Sequence, residues 1–159
     1  EAYKKQVMQV MQVNEVTPGQ VIGNGILTTG EIGVNIPEQA LVIHTRVGLV
    51  VITGCAHPGI VRIIERAMEF TSDPVYLVLG GFHLGNKNKT EISAILADFR
   101  RLGVQKVAPC HCTGKPAIAM FAAGYGDAFI QAGAGTVIST SEQKNKNMKH
   151  KAKKTIFIR

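Results

Sequence analysis

Three histidines in this chain each follow an apolar run that ends in glycine or proline. His57 closes Val50-Val51-Ile52-Thr53-Gly54-Cys55-Ala56-His57, and His83 closes Tyr76-Leu77-Val78-Leu79-Gly80-Gly81-Phe82-His83. His111 sits in Val107-Ala108-Pro109-Cys110-His111-Cys112. Imidazole suits zinc, iron, copper and nickel, with zinc the default. A lone histidine after a strand is usually a hydrogen-bonded structural residue; three at equivalent strand ends point to a shared cation. Helix-like segments follow the first two, so all three are expected at one edge of one sheet. Open sheets bind ligands there, beyond the carboxyl ends of their strands. No Asp or Glu falls inside the three motifs. The spacing does not decide which of the three touches metal directly.

Other reactive side chains read more plainly. Cys55 and Cys110 are expected as small buried residues behind the histidines, with ligation by thiolate as the alternative and Cys112 the most open to it. His44 lies mid-strand and is expected in a core or surface role, and His150 in a solvated lysine tail. Thr113-Gly114-Lys115 precedes a helix-like segment. Backbone N–H groups and a lysine at a helix start would suit a phosphate, or would simply cap the helix.

The elements that must position these residues follow from pattern. Val7 to Val13 alternates apolar and polar residues and predicts a strand. Val21 to Gly30, with three glycines, predicts an irregular strand or bulge. Ala40 to Arg46 and Leu49 to Gly54 predict a hairpin turning at Val47-Gly48. A helix is predicted from Pro58, just inside its first turn, through Phe70. Val75 to Leu79 predicts a buried strand, and Thr90 is expected to cap a helix ended by Gly103. A strand over Val104 to Ala108, a helix from Gly114 to Phe121 and a last strand over Thr136 to Ser139 complete the order. Such alternation argues for a sheet with helices packed on it, an α/β (α+β) chain.

At 159 residues the chain can hold one domain with a real core. Cysteine usage, three residues with two of them flanking a histidine, is not a disulfide framework and favours a reducing, cytoplasmic setting. No apolar run approaches bilayer length, which argues against a membrane partner. The formal charge of +7 is concentrated in Lys144, Lys146, Lys149, Lys151, Lys153 and Lys154. The reading is therefore a folded unit over residues 1–140 and a basic tail over 141–159. Such charge runs are normally solvated, so nucleic acid is disfavoured as a partner.

Gly54-Cys55-Ala56-His57-Pro58-Gly59-Ile60, Gly80-Gly81-Phe82-His83-Leu84 and Pro109-Cys110-His111-Cys112-Thr113-Gly114, in that order, resemble one family of metallo-β-lactamase-fold hydrolases. These are the dihydropterin–ribofuranosylaminobenzene phosphate synthases. Thr29-Gly30-Glu31 and the hairpin that follows fit the same pattern. The resemblance implies one βα half, the C-terminal one, of an αββα sandwich: a mixed sheet with helices on one face. It implies that His57 and His111 are metal ligands and that His83 lines the site, the ion being zinc, with iron or manganese as alternatives. It also implies a small phosphorylated substrate of pterin and ribosylaminobenzene type, with Thr113, Gly114 and Lys115 placed to hold its phosphate.

The family's first half carries a His-x-His-x-Asp-His signature, which does not occur in this sequence. The chain is thus expected to be incomplete as an enzyme without that half, or without a homodimer mate. Two alternatives stand beside the metallohydrolase reading: a non-catalytic half-domain serving interaction or dimerisation, and a nucleic-acid-binding relative that uses the basic tail.

Overall fold

A computed structural model of the protein describes residues 2–140. The basic tail predicted for residues 141–159, His150 included, lies outside them. Six strands form one sheet in sequence order: β1 (Val21–Gly23), β2 (Ile26–Thr28), β3 (Leu41–Thr45), β4 (Gly48–Thr53), β5 (Val75–Gly81) and β6 (Lys106–Cys110). The first four pair antiparallel; β4, β5 and β6 run parallel. Helix α1 spans Ala2–Met8, α2 spans Ile60–Met68, α3 spans Lys89–Arg101 and α4 spans Lys115–Tyr125. The fold is the α/β arrangement predicted, with a mixed sheet.

Parallel strands need crossovers, and the helices supply them. Their apolar stripes meet one sheet face: Ile60, Ile63 and Ile64 of α2, Ile92, Leu96 and Phe99 of α3, and Phe121 of α4 pack with Val42, Val51, Val78 and Val107. Phe82, Phe99 and Phe121 form a ring cluster with centroids 5.1 to 5.5 Å apart. That cluster anchors the residue immediately before His83. The opposite face is also apolar. There Val50, Leu77, Leu79 and Ala108 are covered by Ile138, with Ile130 and Ala132 packed alongside.

Several local expectations need correction. Val7 to Val13 is not a strand; α1 covers Ala2–Met8 with no residue buried, and alternation without a neighbouring strand gives a ladder nothing to pair with. Val21 to Gly30 is a hairpin, β1–β2, whose register shifts between Val21 and Gly23 as an irregular strand would, and it turns at Asn24-Gly25 with Gly25 supplying the positive φ of 71°. The next hairpin turns at Arg46-Val47, because Thr45 pairs with Gly48. Gly48 is needed for close approach, since a Cβ there would lie 2.4 Å from the Pro74 carbonyl oxygen.

Pro58 lies in the turn before α2, which begins at Ile60. Helix α3 is capped by Asn88, not Thr90. Its side chain accepts from the Glu91 N–H while Glu91 reaches back to the Asn88 N–H, a reciprocal arrangement that Thr90 is too late in the chain to make. The strand predicted at 104–108 falls at Lys106–Cys110. Thr136 to Ser139 is not among the strands, although Ile138 is buried at 8% exposure.

Candidate metal centre

The carboxyl ends of β4, β5 and β6 lie side by side, and each releases one histidine loop. The register carries this alignment to the last residue: Thr53 pairs with Gly80, and Gly81 with Cys110. Thr53 donates its hydroxyl to the Gly81 carbonyl at 2.9 Å, and the Gly81 N–H donates to the Gly54 carbonyl at 3.0 Å. Only glycine permits this closeness. A Cβ on Gly80, whose φ is +126°, would fall 2.3 Å from the Thr53 carbonyl oxygen. On Gly81 it would fall 2.5 Å from that of Gly54 and 2.7 Å from the Cys112 sulfur.

His57 and His83 meet with ring centroids 4.3 Å apart. A ring nitrogen of His111 is grouped with the Cys55 and Cys112 sulfurs, all within 4.8 Å of one another. A second group at the same limit is Glu38, Cys55 and His57, so Cys55 is common to both. His83 belongs to neither group and reaches them through its ring contact with His57. The backbone is unusual at the same places. Among the described residues, the non-glycine positive φ values are Ala56 (62°), His83 (52°) and His111 (49°). Left-handed conformations at side-chain-bearing residues cost about 1–3 kcal/mol each, persist only where the surroundings impose them, and cluster at functional sites.

Glu38 is the residue the motifs did not contain. Its Oε1 accepts from His57 Nδ1, and its Oε2 accepts from the Ala56 N–H at 2.7 Å. Their side chains are 19% and 26% exposed. Desolvation pushes the Glu38 carboxyl upward, but hydrogen bonds from the His57 ring and the Ala56 N–H hold it below the usual carboxylate range. A carboxylate on Nδ1 fixes the tautomer and leaves Nε2 as the free donor, the usual support for a metal-bound histidine. No motif marked it: only the observed register, which pairs Leu41 with Ile52, carries Glu38 opposite Cys55 when extended. Thr29 holds that approach in place, accepting from the Ala40 N–H at 2.8 Å, while an antiparallel bridge joins Glu38 to Ile32.

The cysteines are all free and partly exposed. Cys112 donates to the Cys55 carbonyl at 3.4 Å. Desolvation, then the hydrogen bond and charge of Cys112, raise the Cys55 thiol above its ordinary value. Burial likewise raises Cys110, ahead of the charge of Cys112.

Thr113 is fully buried, donating to the Cys110 carbonyl at 2.6 Å and accepting from the Phe82 N–H at 3.1 Å. Its hydroxyl ties β6 to the His83 loop. Gly114 and the exposed Lys115 lie at the start of α4. His44 is bound to Asp73 at 3.1 Å, away from the three loops. A shallow groove of about 360 Å³, lined by Ile22, Gln39, Leu41, Ile52 and Gly54 among others, includes none of the three histidines.

The donor set, imidazole and thiol with a hydrogen-bonded carboxylate behind, fits a divalent transition metal. Its setting matches a known class of fold. The chain is similar to Tm1679, a metal-dependent hydrolase of the β-lactamase superfamily, with 33% sequence identity and a TM-score of 0.62. That similarity covers 75% of this chain and 54% of the other. The protein therefore has the mixed-sheet architecture of a metallo-β-lactamase-superfamily structure.

Among curated proteins it resembles the 7,8-dihydropterin-6-methyl-4-(beta-D-ribofuranosyl)-aminobenzene-5'-phosphate synthase of Methanocaldococcus jannaschii. The two are 36% identical over 102 residues, 64% of this chain and 35% of the relative. An uncharacterized protein of the same organism is 33% identical over 69 residues, 43% of this chain and 26% of that protein. The chain thus spans about a third or less of the length of these curated relatives. No family model matches it. Among the described residues, no helix is long and apolar enough to cross a membrane.

Proposed function

We propose that the protein supplies part of the active site of a metal-dependent hydrolase or transferase acting on a small phosphorylated molecule of pterin–ribosylaminobenzene type. The observation that carries this reading is the arrival of His57, His83 and His111 at the adjacent ends of three parallel strands, with the His57 and His83 rings 4.3 Å apart. The similarity to the pterin-related synthase supports the substrate class. His57 and His111 would hold the metal, zinc in the first instance, with His83 beside them. Glu38 keeps the His57 tautomer that leaves Nε2 free. A divalent ion there would acidify bound water or polarise a substrate oxygen. The phosphate would lie against the start of α4, on its backbone N–H groups and Lys115, with Gly114 allowing the approach and buried Thr113 bracing the turn from behind.

Catalysis is proposed to need further polypeptide that completes the metal shell, from the same protein or from another copy. The test is elemental analysis of the purified, dialysed chain. About one zinc per chain is expected, and its loss in His57→Ala/His111→Ala. A folded protein that takes up no zinc would overturn the reading and favour a non-catalytic interaction module.

A further inference from the structure

We propose that Cys55, Cys112 and His111 form a thiolate-bearing site for a soft divalent cation, distinct in its sulfur donors from the paired imidazoles of His57 and His83. It goes beyond the reading above and shares only His111 with it. The Cys55, His111 and Cys112 donor atoms all lie within 4.8 Å of one another, although they come from two loops 57 residues apart. Two sulfurs and one imidazole are a recognised zinc donor set, leaving a fourth position open.

The alternative grouping of Glu38, Cys55 and His57 competes poorly. Both Glu38 oxygens already accept hydrogen bonds, from the His57 ring and the Ala56 N–H. The Cys112 thiol, by contrast, makes a weak 3.4 Å contact to the Cys55 carbonyl, which a metal bond readily replaces. The bare Cα of Gly81 gives the Cys112 sulfur its place, since a Cβ there would stand 2.7 Å away. The positive φ of His111, 49°, turns the chain between Cys110 and Cys112. Cys110 is grouped with neither triad. Thiolate donors select zinc and other soft cations over magnesium or manganese. Binding converts each thiol to thiolate and releases its proton to solvent.

Cobalt(II) titration of the full chain under reducing conditions tests this. A thiolate-to-cobalt charge-transfer band is expected in the near ultraviolet. It should weaken in Cys55→Ser and in Cys112→Ser, vanish in the double variant, and persist in Cys110→Ser. It should also persist in His57→Ala/His83→Ala, so the thiolate site stands or falls apart from the hydrolase reading. Cobalt bound without that band, a band surviving Cys55→Ser/Cys112→Ser, or one lost with His57 and His83 would overturn the proposal. Alkylation gives a check without substitution: zinc should slow modification of Cys55 and Cys112 but not Cys110, and equal protection of all three would contradict it.

Discussion

Glu38 and His57 show how much of this candidate centre lies outside the three histidine motifs. The carboxylate orients the ring through Nδ1 while its second oxygen holds the Ala56 N–H. Replacing it by Glu38→Gln removes the charge and keeps the shape. Zinc affinity should fall about 10- to 100-fold, read by competition against a fluorescent chelator; unchanged affinity would mean the pair is structural only. Backbone strain gives a second residue-level test. With φ at 52°, His83 occupies a conformation that a Cβ disfavours by about 1–2 kcal/mol. His83→Gly should therefore be more stable than His83→Ala by about 1 kcal/mol in urea unfolding of the metal-free protein. Equal stabilities would mean the left-handed backbone is absent in solution. The three histidines were legible in the sequence because each follows an apolar run ended by glycine or proline. Glu38 was not, because it becomes a neighbour of Ala56 only through the β3–β4 register.

At the scale of elements, the parallel trio β4, β5 and β6 does the positioning. Its junctions rely on glycines that no larger residue can replace. Gly80→Ala would place a Cβ against the Thr53 carbonyl at a φ of +126°. The loss should be about 3 kcal/mol in denaturant unfolding, with weakened zinc uptake because the His57 and His83 loops part. A variant as stable as the parent would refute the close approach. These strands could be read from sequence because continuous apolar runs bounded by turn residues are strong signals. The short amino-terminal elements could not. Three-residue strands such as Val21–Gly23 carry too little pattern, and the alternation in Val7 to Val13 lacks any partner strand. Cap chemistry also outran simple reading, since Asn88 and Glu91 cap α3 reciprocally while Thr90 merely resembles a cap.

For the molecule as a whole, two apolar layers enclose the sheet unequally. Three helices bury one face; on the other, Val50, Leu77, Leu79 and Ala108 are covered by Ile138 with Ile130 and Ala132. Ile64→Ala, in the helix-side core at 0% exposure, should cost about 3–4 kcal/mol. Ile138→Ala, at 8% exposure, should cost about 2 kcal/mol. Comparing the two denaturation midpoints checks the asymmetry, and equal losses would contradict it. The chain covers 35% of its curated relative and 54% of Tm1679.

All of this turns on whether one cation is shared among loops from different strands. The direct measurement is an anomalous difference map, recorded at the zinc edge, from crystals of the chain grown with zinc. A peak is expected at about 2.0–2.1 Å from an imidazole nitrogen of both His57 and His111. A peak elsewhere on the surface, or imidazoles that hold no metal at all, would contradict the shared site.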